Sequence, residues 1–213
     1  MKFPFSGDLR SNLTTWLVPV RDLPAVARAM LDALPPESFD PDFQGQKLET
    51  IYFDTTALAL RKARRHGDQY LTLRLRCYDA PSGSTAYALS AKTESEKWRN
   101  EIPAETAELL LQTPGLDVWR SVLPGHLQAR LVSLAGDDVL RSVVCVRAHR
   151  YAAENEQDRL TLDVDVRTDT GKRLSAAVLE FKSTEEDAPP PAGLAISRLR
   201  PIKLSKFLWA TEV

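Results

Sequence analysis

Apolar and polar residues alternate along several segments of the chain. In residues 70–78, YLTLRLRCY, three leucines alternate with Thr72, Arg74 and Arg76. Successive side chains of a β-strand point to opposite faces of the sheet, so this alternation predicts a strand whose leucines are buried on one face. Arg74 and Arg76 then lie side by side on the opposite face.

The same alternation predicts seven more strands, and a helical spacing of apolar residues predicts helices between some of them. The predicted strands comprise residues 13–20, 47–55, 57–65, 85–94, 142–152, 159–167 and 175–183. The predicted helices comprise residues 23–34, 103–112 and 118–134, the last interrupted at Pro124 and Gly125. Eight strands with few helices predict an α+β domain that is built on a large antiparallel sheet.

Several of the predicted strands have one apolar face and one charged face. The polar faces carry Lys92 with Ser90; Arg150; Arg159 with Thr161, Asp163 and Asp165; and Glu180 with Lys182. One interpretation is a sheet whose charged face is simply solvated. Amphipathic helices, however, need an apolar sheet face to cover, and a sheet that curls with this face outward encloses the charged one. The pattern therefore predicts an eight-stranded β tunnel, closed or nearly closed, with helices packed outside.

Composition limits the classes of partner. The 213 residues are 43% hydrophobic and 27% charged, which predicts a single domain over residues 1–213. The net charge of −1 gives no general attraction to nucleic acid or to anionic membranes, so neither is an expected partner. No apolar run approaches the roughly 20 residues that span a bilayer, and the first residues lack the apolar centre of a signal peptide, so we expect a cytoplasmic protein.

Seven short motifs occur in an order that resembles a known family. They are YFDT at 52–55, LRLR at 73–76, AKT at 91–93, HRYA at 149–152, DRLTLD at 158–163, LEFK at 179–182 and SKF at 205–207. In this order they resemble VTC domains, the polyphosphate polymerase domains of the vacuolar transporter chaperone complex and its bacterial relatives. VTC domains are part of the CYTH-like triphosphate tunnel superfamily. The resemblance extends from about residue 48 to residue 208.

The resemblance implies a tunnel that binds ATP and inorganic polyphosphate, or another polyanion, and transfers the terminal phosphoryl group of ATP to a growing chain with Mn²⁺ or Mg²⁺. Glu180 corresponds to the metal-binding glutamate. Arg159 and Lys182, on the charged strand faces, are further candidate phosphate ligands. The residues that would bind phosphate oxygens and act in catalysis are Arg74, Arg76, Lys92, Arg150 and Lys206.

The chain departs from the family pattern in its first strand. Family members have a charged motif, RxExKY, where this chain has Ser11, Leu13, Thr15 and Trp16, and Ser90 replaces a glutamate. These changes remove metal-binding carboxylates, which disfavours ordinary triphosphatase activity and weakens polymerase chemistry. Three hypotheses stay open: a polyphosphate polymerase, a polyanion-binding module without catalysis, and a triphosphate hydrolase of CYTH type.

Three other groups of charges have simpler interpretations. Asp163 and Asp165 are expected to orient arginines or lysines rather than to bind a metal. Glu180 and Lys182 could also form an ordinary surface pair. The basic segment 61–67, RKARRHG, is expected to be a solvated loop, with attraction of a polyanion as the alternative.

Overall fold

The computed structural model of this protein describes residues 12–67, 69–79, 83, 85–112, 115–185, 187–194, 196 and 198–212. The chain groups into two compact units. Unit 1 comprises Met1–Leu48, Tyr78–Thr85 and Arg147–Ser205, and unit 2 comprises Glu49–Cys77, Ala86–Val146 and Lys206–Val213. The single domain expected from composition stays a prediction.

Eight strands form an antiparallel sheet in the order β1-β8-β7-β6-β2-β3-β4-β5. They are β1 (Asn12–Val18), β2 (Gln46–Thr55), β3 (Thr72–Asp79), β4 (Thr85–Lys92), β5 (Lys97–Ile102), β6 (Leu140–Glu154), β7 (Asp158–Thr168) and β8 (Ala177–Ser183). The predicted α+β fold with an eight-stranded antiparallel sheet is confirmed. Among the described residues β1 and β5 are the two edges of this sheet, so the sheet is not closed and the predicted closed or nearly closed tunnel fits only loosely.

Six α-helices and one 3-10 helix, Val20–Asp22, connect these strands in the described part of the chain. The α-helices are α1 (Leu23–Ala33), α2 (Ala59–His66), α3 (Ala104–Gln112), α4 (Leu116–Val122), α5 (Gly125–Ala135) and α6 (Lys206–Thr211). Helix α1 has a proline in its first turn and ends before Pro35 and Pro36, as proline geometry favours. None of the described helices is long and apolar enough to cross a membrane.

Two elements differ from the sequence prediction. Residues 57–65, predicted as a strand, contain most of helix α2, because the side chain of Asp54 caps its start. The Asp54 carboxylate accepts hydrogen bonds from the backbone N–H groups of Leu60 and Arg61, both at 2.8 Å. The eighth strand is instead β5, KWRNEI, whose polar composition gave no strand signal. The predicted number of strands is therefore right, although one of them is misplaced.

The core of unit 2 lies between its strands and helices. Leu73 and Leu75 of β3 and Leu89 of β4 are fully buried in a cluster with side chains of α2 to α5, among them Leu60, Ala107, Trp119 and Leu127. This confirms that the leucines of the 70–78 segment face helices. The core of unit 1 has the same arrangement: Trp16, Leu162 and Phe181 of β1, β7 and β8 pack against Val26 and Met30 of α1.

Candidate functional site

A group of cations lies on the polar face of three adjacent strands in unit 2. The apolar residues of β3 and β4 are buried against helices, so the alternate residues Arg74, Arg76 and Lys92 share the opposite face. The strand register adds two more cations, because Lys97 lies opposite Lys92 and Arg99 lies opposite Ser90. We call these five residues the cationic face.

The cationic face has a strong local excess of positive charge. In unit 2 the strands β3, β4 and β5 contribute five cations and a single carboxylate, Glu101, which is exposed. Arg74 and Arg76 are half-buried, and the Nε atom of each guanidinium is shielded from solvent. Partly desolvated arginines interact more strongly with anions than fully hydrated ones do, so this face suits a multiply charged anion such as a phosphate chain.

Arg150 and Asp163 form a buried ion pair in unit 1. The Nε and Nη2 atoms of Arg150 donate to the two carboxylate oxygens of Asp163 at 2.6 and 2.7 Å, and the residues are 4% and 1% exposed. Burial alone would lower the pKa of Arg150, but the charge and hydrogen bonds of Asp163 outweigh it and raise that pKa. The prediction that Asp163 orients an arginine is confirmed. Asp165 likewise pairs with Arg167 and Arg173.

Glu180, the predicted metal ligand, lies in a row of oxygen-bearing side chains on unit 1. In the strand register it is opposite Thr15 on one side and Thr161 on the other. The Oγ1 atom of Thr161 is enclosed and has no hydrogen-bond partner among the described residues. The Nζ atom of Lys182 is 3.7 Å from Oε2 of Glu180, so these two half-buried residues form an ion pair.

This row fits a divalent cation of the magnesium type. Magnesium is commonly bound through one or two carboxylates and completes its shell with substrate oxygens and water. One carboxylate and a neighbouring hydroxyl without a partner meet that need. No group of three or more His, Cys, Asp or Glu side chains is arranged as a metal site in the described part of the chain. Glu180 would therefore need further oxygen ligands, from water or from a bound anion, to hold a metal.

Arg159 is bound to carboxylates in unit 1. Its Nη2 donates to Glu37 at 2.6 Å, and its Nε is 3.5 Å from Glu154. Glu37 also accepts a short hydrogen bond from Gln46. Burial raises the pKa of Glu154 from its ordinary value of 4.5 to about 7; Arg159 opposes this rise and the charge of Glu37 adds to it. Three cations predicted to bind phosphate, Arg150, Arg159 and Lys182, are thus each beside a carboxylate.

Lys206 is the first residue of α6 and is half-buried. The next residue, Phe207, stacks on Tyr52 of β2 with the ring centroids 5.1 Å apart. This contact fixes the start of the helix within unit 2. The predicted role of Lys206 in phosphate binding stays a prediction.

Several solved structures share this fold. A candidate adenylate cyclase from Bacillus halodurans superposes with a TM-score of 0.55 at 17% identity and covers 83% of this chain and 82% of its own. A candidate adenylyl cyclase from Hippeastrum, described as having a dominant triphosphatase activity, gives a TM-score of 0.53 at 16% identity, with 81% and 79% covered. No protein-family model and no curated protein matches the sequence.

At 16–17% identity this likeness shows that the chain shares the fold of these two proteins. The resemblance to VTC polymerase domains is not confirmed, and membership of the CYTH-like superfamily stays a prediction. Most of the seven sequence motifs lie on strands of the sheet.

Some charged residues of these faces escaped the sequence analysis. Lys97 and Arg99 belong to β5, and their alternation with Trp98 and Asn100 was the available signal for that strand. The contacts that Arg159 makes with Glu37 and Glu154 also escaped the sequence analysis. No sequence motif contains these carboxylates.

Proposed function

We propose that this protein binds a triphosphate and hydrolyses its terminal phosphate with the help of a divalent metal. The observation that carries the proposal is the cationic face, where three adjacent strands contribute five cations and one carboxylate within unit 2. The fold shared with a protein that is described as a triphosphatase gives further support.

The cationic face would bind the phosphate chain. Arg74 and Arg76 can each donate two parallel hydrogen bonds to one phosphate group, whereas Lys92 acts as a point charge. Lys97 and Arg99 extend the same row of charges. Arg150, Lys182 and Lys206 stay proposed phosphate ligands from the family resemblance. Fixed cations neutralise the negative charge that spreads over the phosphoryl oxygens, which is the main requirement of phosphoryl transfer.

Glu180 stays the proposed ligand of Mn²⁺ or Mg²⁺ from the family resemblance, and the hydroxyl of Thr161 is available beside it. When bound, the metal neutralises phosphate charge and lowers the pKa of a coordinated water. In the hydrolysis, a water oxygen bonds to the terminal phosphorus while the bond from that phosphorus to the bridging oxygen breaks. Orthophosphate and the shortened diphosphate leave, and the released proton passes to solvent.

The test is phosphate release from inorganic triphosphate and from ATP, with Mn²⁺ or Mg²⁺, by the wild type and matched variants. Arg74→Gln should lower kcat/KM about 10- to 100-fold, which is the decrease expected when charge-assisted hydrogen bonds to phosphate are lost. Arg141→Gln, which removes an exposed cation from β6 in unit 2, is the control and should leave activity unchanged. Equal activity in the two variants would contradict the proposal.

Glu180→Gln tests the metal ligand separately. We expect the metal concentration for half-maximal activity to rise at least tenfold, because a neutral amide is a weaker ligand for a hard cation. Glu156→Gln, at an exposed position of unit 1, is the matched control. An unchanged metal requirement in Glu180→Gln would remove Glu180 from the proposed site.

Polyphosphate polymerase activity is the second candidate. It is favoured because no group of three or more His, Cys, Asp or Glu side chains is arranged as a metal site among the described residues, whereas ordinary CYTH triphosphatases are expected to use several carboxylates. The same assay separates the hypotheses if phosphate and polymer are followed together. If polymer forms from ATP, the protein is a polymerase, and the proposed hydrolase function is rejected. Binding of triphosphate without either product would indicate a binding module.

A further inference from the structure

The loop between α1 and β2, residues 34–45, is held along the end of β6. The backbone N–H of Glu37 donates to the carbonyl of Ala152 at 3.1 Å, and the N–H of Glu154 donates to the carbonyl of Pro35 at 2.9 Å. Pro36 and Ala153 form an isolated antiparallel bridge between these two bonds. The start of the loop therefore pairs with β6 as a short additional strand would.

The rest of the loop is folded by its own side chains. The carboxylate of Asp40 accepts hydrogen bonds from the N–H groups of Gln44 and Gly45 at 2.9 and 2.6 Å. Phe43 packs on Tyr151 with a centroid distance of 5.2 Å. Asp40 is 2% exposed, which is unusual for a charged loop residue. The loop is thus a compact structure.

Arg159 is at the centre of the polar contacts between this loop and the sheet. Its guanidinium joins Glu37 of the loop to Glu154 at the end of β6, while Arg159 itself is near the start of β7. Its side chain is 12% exposed, and those of Glu37 and Glu154 are 2% and 11% exposed. The guanidinium of Arg159 already contacts two nearly buried carboxyl groups. It is therefore a poor ligand for phosphate, because binding phosphate would leave those groups without their cation.

The loop also reaches Tyr78 of β3. Phe39 of the loop meets the ring of Tyr78 edge-on, with centroids 6.5 Å apart. Tyr78 is 4% exposed. The loop is therefore packed against a buried ring at one point and paired at another with the end of β6, the strand that carries Arg150.

We propose that Arg159 is a positioning residue whose contacts with Glu37 and Glu154 clamp the 34–45 loop to β6 and β7, and so hold the end of the strand that carries Arg150. This assignment replaces the prediction that Arg159 binds phosphate. That Arg159 holds the loop in place follows from the observed contacts alone. The effect of the loop on catalysis rests on the proposed triphosphate hydrolysis.

The experiment measures amide hydrogen exchange in peptides that cover residues 34–45, together with triphosphatase kinetics. Arg159→Gln should raise exchange in these peptides at least tenfold and leave exchange in β5 unchanged. Arg167→Gln is the control, because it removes a cation from the same strand whose partner is the half-exposed Asp165. Glu37→Gln is a second variant in case Arg159→Gln does not fold, and it should loosen the same peptides.

Arg159→Lys separates positioning from direct phosphate binding. A lysine can still pair with Glu37, so this variant should recover loop protection and kcat together, each to an intermediate level. If loop exchange in Arg159→Gln equals that of the wild type while KM for triphosphate rises, Arg159 is a phosphate ligand and the clamp is refuted. If the wild type neither binds nor hydrolyses triphosphate, the proposed function fails, and the exchange results still decide the clamp.

Discussion

Replacing Glu154 by glutamine should remove a large part of the pH dependence of this protein's stability. The carboxyl group is 11% exposed, and its Oε2 accepts no hydrogen bond among the described residues. Burial raises its pKa to about 7, against the opposing effect of Arg159 and with a further contribution from the charge of Glu37. Lys182, opposite Arg159 in the strand register, is the next charged group on this face. Near pH 7 Glu154 is therefore partly protonated in the folded protein, whereas it is ionised in the unfolded chain.

The sign of the effect follows from proton binding. Between pH 4.5 and about 7 the folded state binds more protons at Glu154 than the unfolded state does, so the free energy of unfolding falls as pH rises through this range. At about 1.4 kcal/mol per pH unit, the full difference is about 3 kcal/mol. Glutamine has nearly the same shape and does not titrate. Glu154→Gln should thus be close to neutral at pH 4.5 and stabilising by up to about 3 kcal/mol at pH 8.

Urea unfolding at a series of pH values between 4.5 and 8 provides the measurement. The free energy of unfolding of Glu154→Gln minus that of the wild type should grow with pH. Glu156→Gln, which makes the same charge change at an exposed position two residues away, should give a small and constant difference. A Glu154→Gln difference that is constant with pH, or that becomes more destabilising at pH 8, would refute the argument from burial.

Two further predictions concern stability. Asp163→Asn should lower the free energy of unfolding by about 3–5 kcal/mol because it leaves Arg150 buried without its carboxylate, whereas Asp165→Asn, in a half-exposed pair, should cost less than about 1 kcal/mol. Urea unfolding at pH 7 checks both, and equal costs would contradict the prediction. Gly45→Ala should destabilise more than Gly67→Ala by about 1–3 kcal/mol in thermal unfolding. Both glycines have positive φ, but only at Gly45 would the new methyl group overlap a neighbouring ring, that of His149.

The strands that are half buried were predictable because their alternation is a direct consequence of strand geometry. The leucines beside Arg74 and Arg76 gave the orientation of β3 correctly, and the same logic placed Lys92 on the matching face of β4. Helix α2 was not predictable in this way, because the spacing of its apolar residues fits both the two-residue repeat of a strand and the roughly 3.6-residue repeat of a helix. What decides it is the Asp54 side chain, which caps the helix from the preceding strand.

The ion pairs of unit 1 depend on register. That Asp163 would orient a cation was predictable from its place on a charged strand face. That Arg159 would pair with Glu37 was not, because 122 residues separate them and the contact requires the 34–45 loop to dock first. The absence of closure between β1 and β5 in the described sheet also has no local signal in either strand.

The pairing of β1 with β8 sets the order in which this chain can fold during synthesis. Asn12 lies opposite Ser183, so the first described strand finds its partner only after about 170 further residues have been made. At about 5–20 residues per second, that interval is on the order of 10–30 s. Trp16 and Val18 of β1 stay without their final neighbours on β8 during this time. A ribosome that stalls before residue 177 leaves an apolar strand exposed, which makes such a nascent chain a substrate for chaperones.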